Sequence, residues 1–287
     1  MSLQLNMEGL DISILGPACL AGLIVLSTHV PLGKQVLARG IIFIDLAIAQ
    51  IAALGVISAG FFGVDEHGFG VQVAAAIAAL LGAGLLAWTD RRWPEYQEPL
   101  IGTLFVLAAT GGLLLLANNP QGGEHLKDLL VGQILWVSFS QLIPAAILSA
   151  LLLAFMWWRR GRLAGLIFYA LFALAITTSV QLVGVYLVFA SLIVPALATA
   201  GMSGKRQLVT AYVIGALGYA TGLALSAVLD LPSGALIVWT LAACAMAAQL
   251  IPAVRRSHPG HAPAHTHEPA SVFGAEALST TGPGEVS

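Results

Sequence analysis

Charge is scarce in this chain of 287 residues, because Asp, Glu, Lys and Arg make up only 9% of it. In an ordinary soluble domain these four charged residue types make up roughly 25% of the chain. Hydrophobic residues make up 58% of the chain, and its mean hydropathy is +0.90. So few charges cannot solvate so apolar a fold, so the composition predicts an integral membrane protein. The 12 Lys and Arg are spread along a chain of net charge −2, which leaves no basic face and excludes a nucleic-acid partner.

Cysteines and catalytic motifs are also sparse. Cys19 and Cys244 are the two cysteines, and both lie in apolar runs, which excludes a secreted disulfide scaffold. The sequence contains no Gly-x4-Gly-Lys-Ser/Thr loop, no His-Glu-x-x-His and no Gly-x-Ser-x-Gly. We therefore expect no enzyme, no covalently bound cofactor and no nucleotide hydrolysis by this chain. Any active transport has to draw its energy from a partner chain or from an ion gradient.

Apolar runs of about 20 residues, the length at which a helix crosses a bilayer, recur along the chain. They predict an all-α, polytopic transmembrane helix bundle. We divide the apolar stretch 163–200 at Thr177-Thr178-Ser179, because one helix of that length would be about 57 Å long. An alternative is eight spans plus a re-entrant or interfacial segment, for which 122–138 is the candidate. The nine predicted spans are 10–30, 40–62, 70–89, 99–118, 140–158, 163–180, 182–200, 208–229 and 234–254.

The basic residues indicate the orientation of these spans. With nine spans, every Lys and Arg except Lys127 falls on one side of the membrane. The positive-inside rule makes that side the cytoplasm. We therefore expect the N-terminus outside and the C-terminus in the cytoplasm, in the plasma (inner) membrane. Residues 1–256 form the predicted transmembrane domain. Residues 257–287, rich in Pro, Gly, Ser, Thr and His, predict a disordered cytoplasmic tail.

Asp45 is the one ionisable residue clearly within a predicted span, where charge is costly. It is either a cation ligand or gate, or an interhelical hydrogen-bond partner that reaches toward the interface. Gln50, five residues on, points about 140° away on a regular helix, so the two do not form one ligand face. Gln50 could line a pathway or bridge helices. We interpret His29, near the predicted cytoplasmic end of the first span, as a hydrogen-bonded interface histidine.

Histidines also crowd the tail. His258, His261, His265 and His267 fall within ten residues, and such a flexible imidazole tract binds zinc, nickel or copper weakly. Two further groups of potential metal ligands, Asp65-Glu66-His67 and Glu124-His125, lie in loops on the predicted outer side. We interpret them as solvated loop residues, because adjacent residues rarely converge on one ion.

Several segments, taken together, resemble the membrane permease of zinc/manganese-type ABC importers. The two most specific are QLVGVYLVFASLIVPALATA and LDLPSGALIVW. Three further segments match in order: HVPLGKQVLARGIIFIDLAIAQIAALGV, EPLIGTLFVLAATGGLLLL and LKDLLVGQILWVS. The resemblance covers most of residues 29–240.

The resemblance implies a permease that imports a divalent cation (zinc, manganese or iron). It implies a homodimer in the lipid membrane with two cytoplasmic ATP-binding cassette ATPase subunits. It also implies an extracellular or periplasmic metal-binding protein that delivers the cation. ATPase coupling would fall on a short cytoplasmic helix after Pro195. The residues implied are Pro195, Ala196, Leu197, Ala198, Gly201, Lys205 and Arg206.

The chain departs from the family pattern at the expected metal site. The family has Asp-x-x-x-His in the second span, whereas Ala49 follows Asp45 by four here and Gln50 comes next. An Asp/Gln site is harder than an Asp/His site, which favours manganese or iron over zinc. One alternative function is an ABC permease for a metal chelate of the siderophore or cobalamin class. Another is a gradient-driven secondary transporter, which normally shows inverted repeats and more intramembrane charges.

Overall fold

Apolar runs inside a membrane must satisfy their backbone hydrogen bonds internally, and in this chain they do so as helices. The computed structural model describes residues 12–64, 68–116, 132, 134–159, 163 and 165–251. Within these ranges all regular structure is helical, which confirms the predicted all-α class. Single 3₁₀ turns lie at Pro94–Tyr96 and Ile134–Trp136. The helices are α1 (Ile12–Arg39), α2 (Ile44–Phe61), α3 (Phe69–Arg92), α4 (Gln97–Leu116), α5 (Phe139–Trp158), α6 (Gly165–Val183), α7 (Val185–Ala198), α8 (Gly204–Leu229) and α9 (Ser233–Gln249).

Each predicted span has a helix that corresponds to it, but the helices differ in length. Seven in the described ranges are long and apolar enough to cross a membrane. The other two, α7 and α9, are apolar but have only 14 and 17 residues. Most of the candidate interfacial segment 122–138 lies outside the described residues, and its described end is the turn Ile134–Trp136.

The first helix is longer than the predicted span 10–30. It continues through Pro31 and ends at Arg39. The added turns are held by packing, because Leu32 and Val36 are buried against the rest of the bundle. Tertiary packing therefore overrides the proline as a stop signal, although proline disfavours a helix interior. His29 lies within α1, ten residues before its end, and is fully buried among the helices. Its position near the membrane interface stays a prediction.

The predicted division of the stretch 163–200 at Thr177-Thr178-Ser179 was also wrong. These residues lie inside α6, and the break comes at Gly184, between Val183 and Val185. Gly184 has φ +81°, a left-handed conformation that glycine adopts without steric cost. Hydroxyl side chains did not end the helix, because a helix keeps its backbone hydrogen bonds whether its side chains are polar or apolar.

Helix α6 lies near the centre of the bundle and packs against α3, α2, α1, α5 and α7. Its inner aromatic residues, Phe168, Tyr169 and Phe172, are almost fully buried. At the opposite extreme, only 17% of the spanning window of α4 is buried. The outer face of α4 is therefore left for lipid or another chain.

Hydrogen bonds tie neighbouring helices together inside this apolar core. The Tyr219 and Ser191 hydroxyl groups are 2.9 Å apart and join α8 to α7. Tyr212 of α8 donates to the Ser27 carbonyl of α1 over 2.9 Å. Such bonds satisfy polar groups that lipid cannot satisfy and help to define which helices pair.

Candidate cation site and its surroundings

Asp45 lies in the first turn of α2 and is only 1% exposed. Neither of its carboxylate oxygens forms a hydrogen bond of normal geometry with a described residue, although the backbone N–H groups of Asp45 and Leu46 lie close enough to interact with the carboxylate. The N-terminus of a helix favours a negative charge, which offsets part of the cost of burial. An unpaired buried carboxylate nevertheless remains expensive. The alternative of an interhelical hydrogen bond for Asp45 therefore gains no support from these contacts.

Glu98, in the first turn of α4, lies beside the start of α2. Its Oε1 atom accepts a hydrogen bond from the backbone N–H of Phe43 over 3.3 Å, two residues before Asp45. Its Oε2 atom is buried and has no partner among the described residues. The two carboxyl groups interact electrostatically. Packing of α4 against α2 thus brings together two acidic residues that are 53 positions apart in the numbering.

Sequence reasoning did not single out Glu98 as a candidate site residue. It was considered only as the acidic residue that opens the segment EPLIGTLFVLAATGGLLLL, at the edge of a predicted span. The available signal was that an acidic residue opens the same segment that resembles the family. Periodicity alone could not show which neighbouring helix that residue would face.

Gln50 lies on the wall of a cavity of about 660 Å³ between α2, α4, α7 and α9. Leu46, one helical turn earlier, shares that wall, whereas Asp45 does not line it. The predicted divergence of Asp45 and Gln50 around the helix thus appears in the structure. The other cavity walls are mainly apolar and include Phe105, Phe189, Val194 and Trp239.

Phe43 contacts both Glu98 and a residue of the cavity wall. The Phe43 ring stacks on the Phe189 ring, with centroids 6.4 Å apart and planes 5° from parallel. Phe189 lines the cavity, and the backbone N–H of Phe43 binds Glu98. Phe43 therefore connects the Glu98 carboxylate to one wall residue of the cavity.

A separate polar network holds the ends of α3, α4 and α6 together. The Gln97 amide nitrogen donates to the Tyr169 hydroxyl over 3.1 Å and to the Leu86 carbonyl over 3.0 Å. Thr89 donates to the Gln97 side-chain oxygen over 3.0 Å. These buried groups are satisfied by one another, so the network stabilises the helix ends and offers no vacant ligand.

Arg39 at the end of α1 is engaged away from Asp45. Its guanidinium donates to the Leu163 carbonyl and lies 3.8 Å from the centroid of the Phe168 ring. His29 has an Nδ1 atom 2.9 Å from the Val25 carbonyl of its own helix. In the described ranges no three His, Cys, Asp or Glu residues converge on one point. Carboxylate oxygens such as those of Asp45 and Glu98 are the ligands that a hard divalent cation prefers.

The predicted coupling segment is only partly accessible. Pro195 lies within α7, which ends at Ala198, and α8 begins at Gly204. A turn therefore joins the two helices where a separate short helix was predicted. Ala196 and Ala198 are buried, whereas the predicted residues Leu197, Lys205 and Arg206 are exposed. The tail histidines His258, His261, His265 and His267, and the sets 65–67 and 124–125, lie outside the described residues.

Comparison with known proteins places the chain in a family. The model of the ABC 3 transport family matches residues 11–168 and 160–251. A probable iron transport system membrane protein of Haemophilus influenzae is 27% identical over 261 residues, covering 83% of this chain and 93% of that protein. The manganese transport system membrane protein MntC of Halalkalibacterium halodurans is 27% identical over 229 residues, covering 72% and 76%.

A solved structure shares the fold. The chain superimposes on PsaBC from Streptococcus pneumoniae in complex with Fab with a TM-score of 0.68 and 20% identity, covering 84% of this chain and 93% of that chain. The protein is thus a multi-pass membrane subunit of an ABC transporter and not its ATPase. It belongs to the ABC 3 transport family. The resemblance seen in the sequence is confirmed at this level.

Proposed function

We propose that this chain is the membrane-spanning subunit through which an ABC importer passes a free divalent cation, with manganese or iron favoured over zinc. The observation that carries the proposal is Asp45, a carboxylate that is 1% exposed and has both oxygens unpaired among the described residues. Intramembrane carboxylates are costly and mark ion pathways. The matched relatives named for iron and for manganese transport support the substrate class.

The preference for manganese or iron rests on ligand chemistry. Carboxylate and amide oxygens, as in Asp45 and Gln50, are harder ligands than imidazole. Gln50 lines the cavity beside α2 and would meet the cation before or after Asp45. The tail histidines His258, His261, His265 and His267 would form a weaker and separate site in the cytoplasm, outside the pathway.

The proposed assembly is a homodimer with cytoplasmic ATPase subunits and an extracellular or periplasmic metal-binding protein. All nine helices cross the membrane in this proposal, with the N-terminus outside. The placement of eleven of the twelve basic residues on one side supports that orientation. Leu197, Lys205 and Arg206, on the exposed connection between α7 and α8, would contact the ATPase. Movement of a rigid α7 could then carry ATPase closure to Phe189 at the cavity.

Metal accumulation in cells tests this function. The host lacks its own importers and expresses the chain with its ATPase and binding protein. We expect uptake of manganese or iron that exceeds uptake of zinc and that a lysine substitution in the Walker motif of the ATPase abolishes. Asp45→Asn should reduce uptake to background, because it removes the buried charge and keeps the side-chain volume. Glu95→Gln, in the exposed turn before α4, is the matched control and should transport normally.

Two results would contradict the proposal. Wild-type uptake by Asp45→Asn would remove Asp45 from the pathway. Absence of uptake for every free metal, with all three proteins assembled in the membrane, would favour the metal-chelate permease. In that case the apolar cavity beside Gln50 would be the place to look for the substrate.

A further inference from the structure

A second cavity lies between α3, α5 and α6, and it shares no described lining residue with the cavity beside Gln50. Its volume is about 460 Å³, which falls within the roughly 300–1,000 Å³ of ligand-binding pockets. Helices α3 and α5 both pack on α6, whereas their described residues make little contact with each other. Helix α6 therefore forms the floor of this cavity, which we call the α3–α5 cleft, and α3 and α5 form its sides.

The polar side chains of the α3–α5 cleft are all at one end. That end is formed by the first turns of α3 and α5 and the last turns of α6, and its polar groups lie within about 9 Å of the helix ends at about 1.5 Å per residue. Further along the helices the lining is apolar and consists of Ala76, Leu148 and Leu174. The polar lining residues are Gln72, Ser140, Gln141, Thr177, Thr178 and Gln181.

Thr177 gives the clearest sign that the cleft receives a ligand. It is 4% exposed, and its Oγ1 atom is buried with no hydrogen-bond partner among the described residues. Other threonines of the bundle, such as Thr103 and Thr221, donate to the carbonyl four residues earlier in their own helix. A buried hydroxyl without a partner is costly. We therefore expect the Thr177 hydroxyl to bond to a molecule held in the cleft.

The polar end of the cleft is partly preorganised. The Oε1 atom of Gln141 accepts a hydrogen bond from the backbone N–H of Ser138 over 2.9 Å, and the Ser138 and Ser140 hydroxyl groups are 2.8 Å apart. No ionisable side chain is among the described residues of the lining. The lining therefore supplies no basic side chain to neutralise a phosphate. Its amides and hydroxyls suit an uncharged ligand that both donates and accepts hydrogen bonds.

We infer that the α3–α5 cleft binds one membrane lipid whose headgroup is uncharged and rich in hydroxyl groups, such as a glycosyl diacylglycerol. The headgroup bonds to the amides and hydroxyls at the polar end, and the first part of an acyl chain passes along Leu148 and Leu174. A lipid fits better than a free sugar because the cleft lies between membrane helices and becomes apolar along its length. The inference does not depend on the metal pathway at Asp45.

Native mass spectrometry of the purified full-length chain tests the inference. The chain is held in a detergent that has no sugar headgroup. Dioleoyl glycerol, dioleoyl phosphatidylglycerol and monoglucosyl dioleoylglycerol are added in separate titrations. We expect one molecule of the glucosyl lipid to bind per chain, about 10-fold more tightly than either of the other two lipids, which corresponds to one or two net hydrogen bonds.

Substitutions locate the bound lipid. Thr177→Val keeps the side-chain shape and removes the hydroxyl, so it should weaken binding of the glucosyl lipid by roughly 2- to 10-fold. It should leave binding of dioleoyl glycerol unchanged. Gln181→Leu, at an exposed position of the cleft, should act in the same way and replaces Thr177→Val if that variant does not fold. Thr221→Val, which removes an exposed hydroxyl from α8, is the matched control and should bind like the parent chain.

Several results would overturn the inference. Equal affinity for the three lipids would show that the chain recognises only acyl chains, and tighter binding of phosphatidylglycerol would show a charged ligand. Displacement of the glucosyl lipid by an equal concentration of methyl glucoside would make the ligand a free sugar. Absence of glucosyl lipid binding, or unchanged affinity in every folded variant of the cleft, would remove the lipid from this site. None of these results would affect the proposed transport function.

Discussion

Among the described glycines of α1, Gly33 is the one whose backbone lies closest to α7. A Cβ atom built on Gly33 would lie 2.1 Å from the Leu192 carbonyl oxygen of α7. Backbone atoms cannot move away as the end of a flexible side chain can. Gly33 therefore lets α1 pack beside α7 beyond Pro31, and this packing accounts for the length of α1.

Substitution of Gly33 by alanine should destabilise the protein. We expect a loss of about 1–3 kcal/mol, the usual cost of overpacking a well-packed core. Gly16→Ala is the matched control in the same helix, because its Cβ would meet nothing within 4 Å. Alanine is a better helix former than glycine, so Gly16→Ala should leave stability unchanged or raise it. Thermal unfolding of the purified chain in detergent measures both, and equal melting temperatures would contradict the proposed close contact.

At the scale of elements, α7 is a short helix held by its neighbours. Gly184 separates it from α6, and it packs against α1 and α9. The buried Tyr219 of α8 bonds to Ser191 of α7 over 2.9 Å, and Ser191 also donates to the Leu187 carbonyl over 2.6 Å. Such a bond can hold α7 in one register against α8.

Tyr219→Phe should destabilise the helix pair modestly. The expected loss is about 0.5–1.5 kcal/mol, the net value of one hydrogen bond, because Ser191 keeps its bond to Leu187. Tyr186→Phe, at a residue with 54% exposure, is the control and should have little effect. Unfolding of detergent-solubilised protein compares the two variants. A larger loss for Tyr186→Phe would show that the Tyr219–Ser191 bond does not stabilise the pair.

At the scale of the whole molecule, the bundle has acidic residues at the start of α2 and α4 and basic residues at the ends of α1 and α3. All of these helix ends fall on one side if the chain alternates across the membrane. The positive-inside rule makes that side cytoplasmic. In this proposed orientation, Asp45 and Glu98 lie at the cytoplasmic ends of their helices, and the connection between α2 and α3 lies on the outer side.

Labelling of introduced cysteines tests this orientation. In a chain with Cys19→Ala and Cys244→Ala, we expect Val64→Cys to react with a membrane-impermeant maleimide in intact cells. Lys205→Cys should react only after the membrane is permeabilised, because α8 begins on the cytoplasmic side in the proposed orientation. Both positions are exposed in the described structure, so burial does not explain a difference. The opposite pattern would invert the bundle and place Asp45 at the outer surface.

Much of the architecture followed from composition and hydropathy. Lipid cannot hydrogen-bond the backbone, so long apolar runs had to become helices, and the all-α class was predictable. The number of helices followed from the lengths of those runs. Asp45 could be singled out because an isolated charge in an apolar run is costly wherever the helix packs.

Contacts between distant segments were decided only by the tertiary structure. The sequence contains no local signal that Leu192 of α7 meets Gly33, so the extension of α1 beyond Pro31 was missed. Gly184 and not the Thr177-Thr178-Ser179 hydroxyl groups ended α6, because its left-handed backbone was needed there. The proximity of Glu98 to Asp45 arises from the packing of α4 against α2. Hydropathy along one chain determines which segments enter the membrane, whereas side-chain shape across the bundle determines which of them touch.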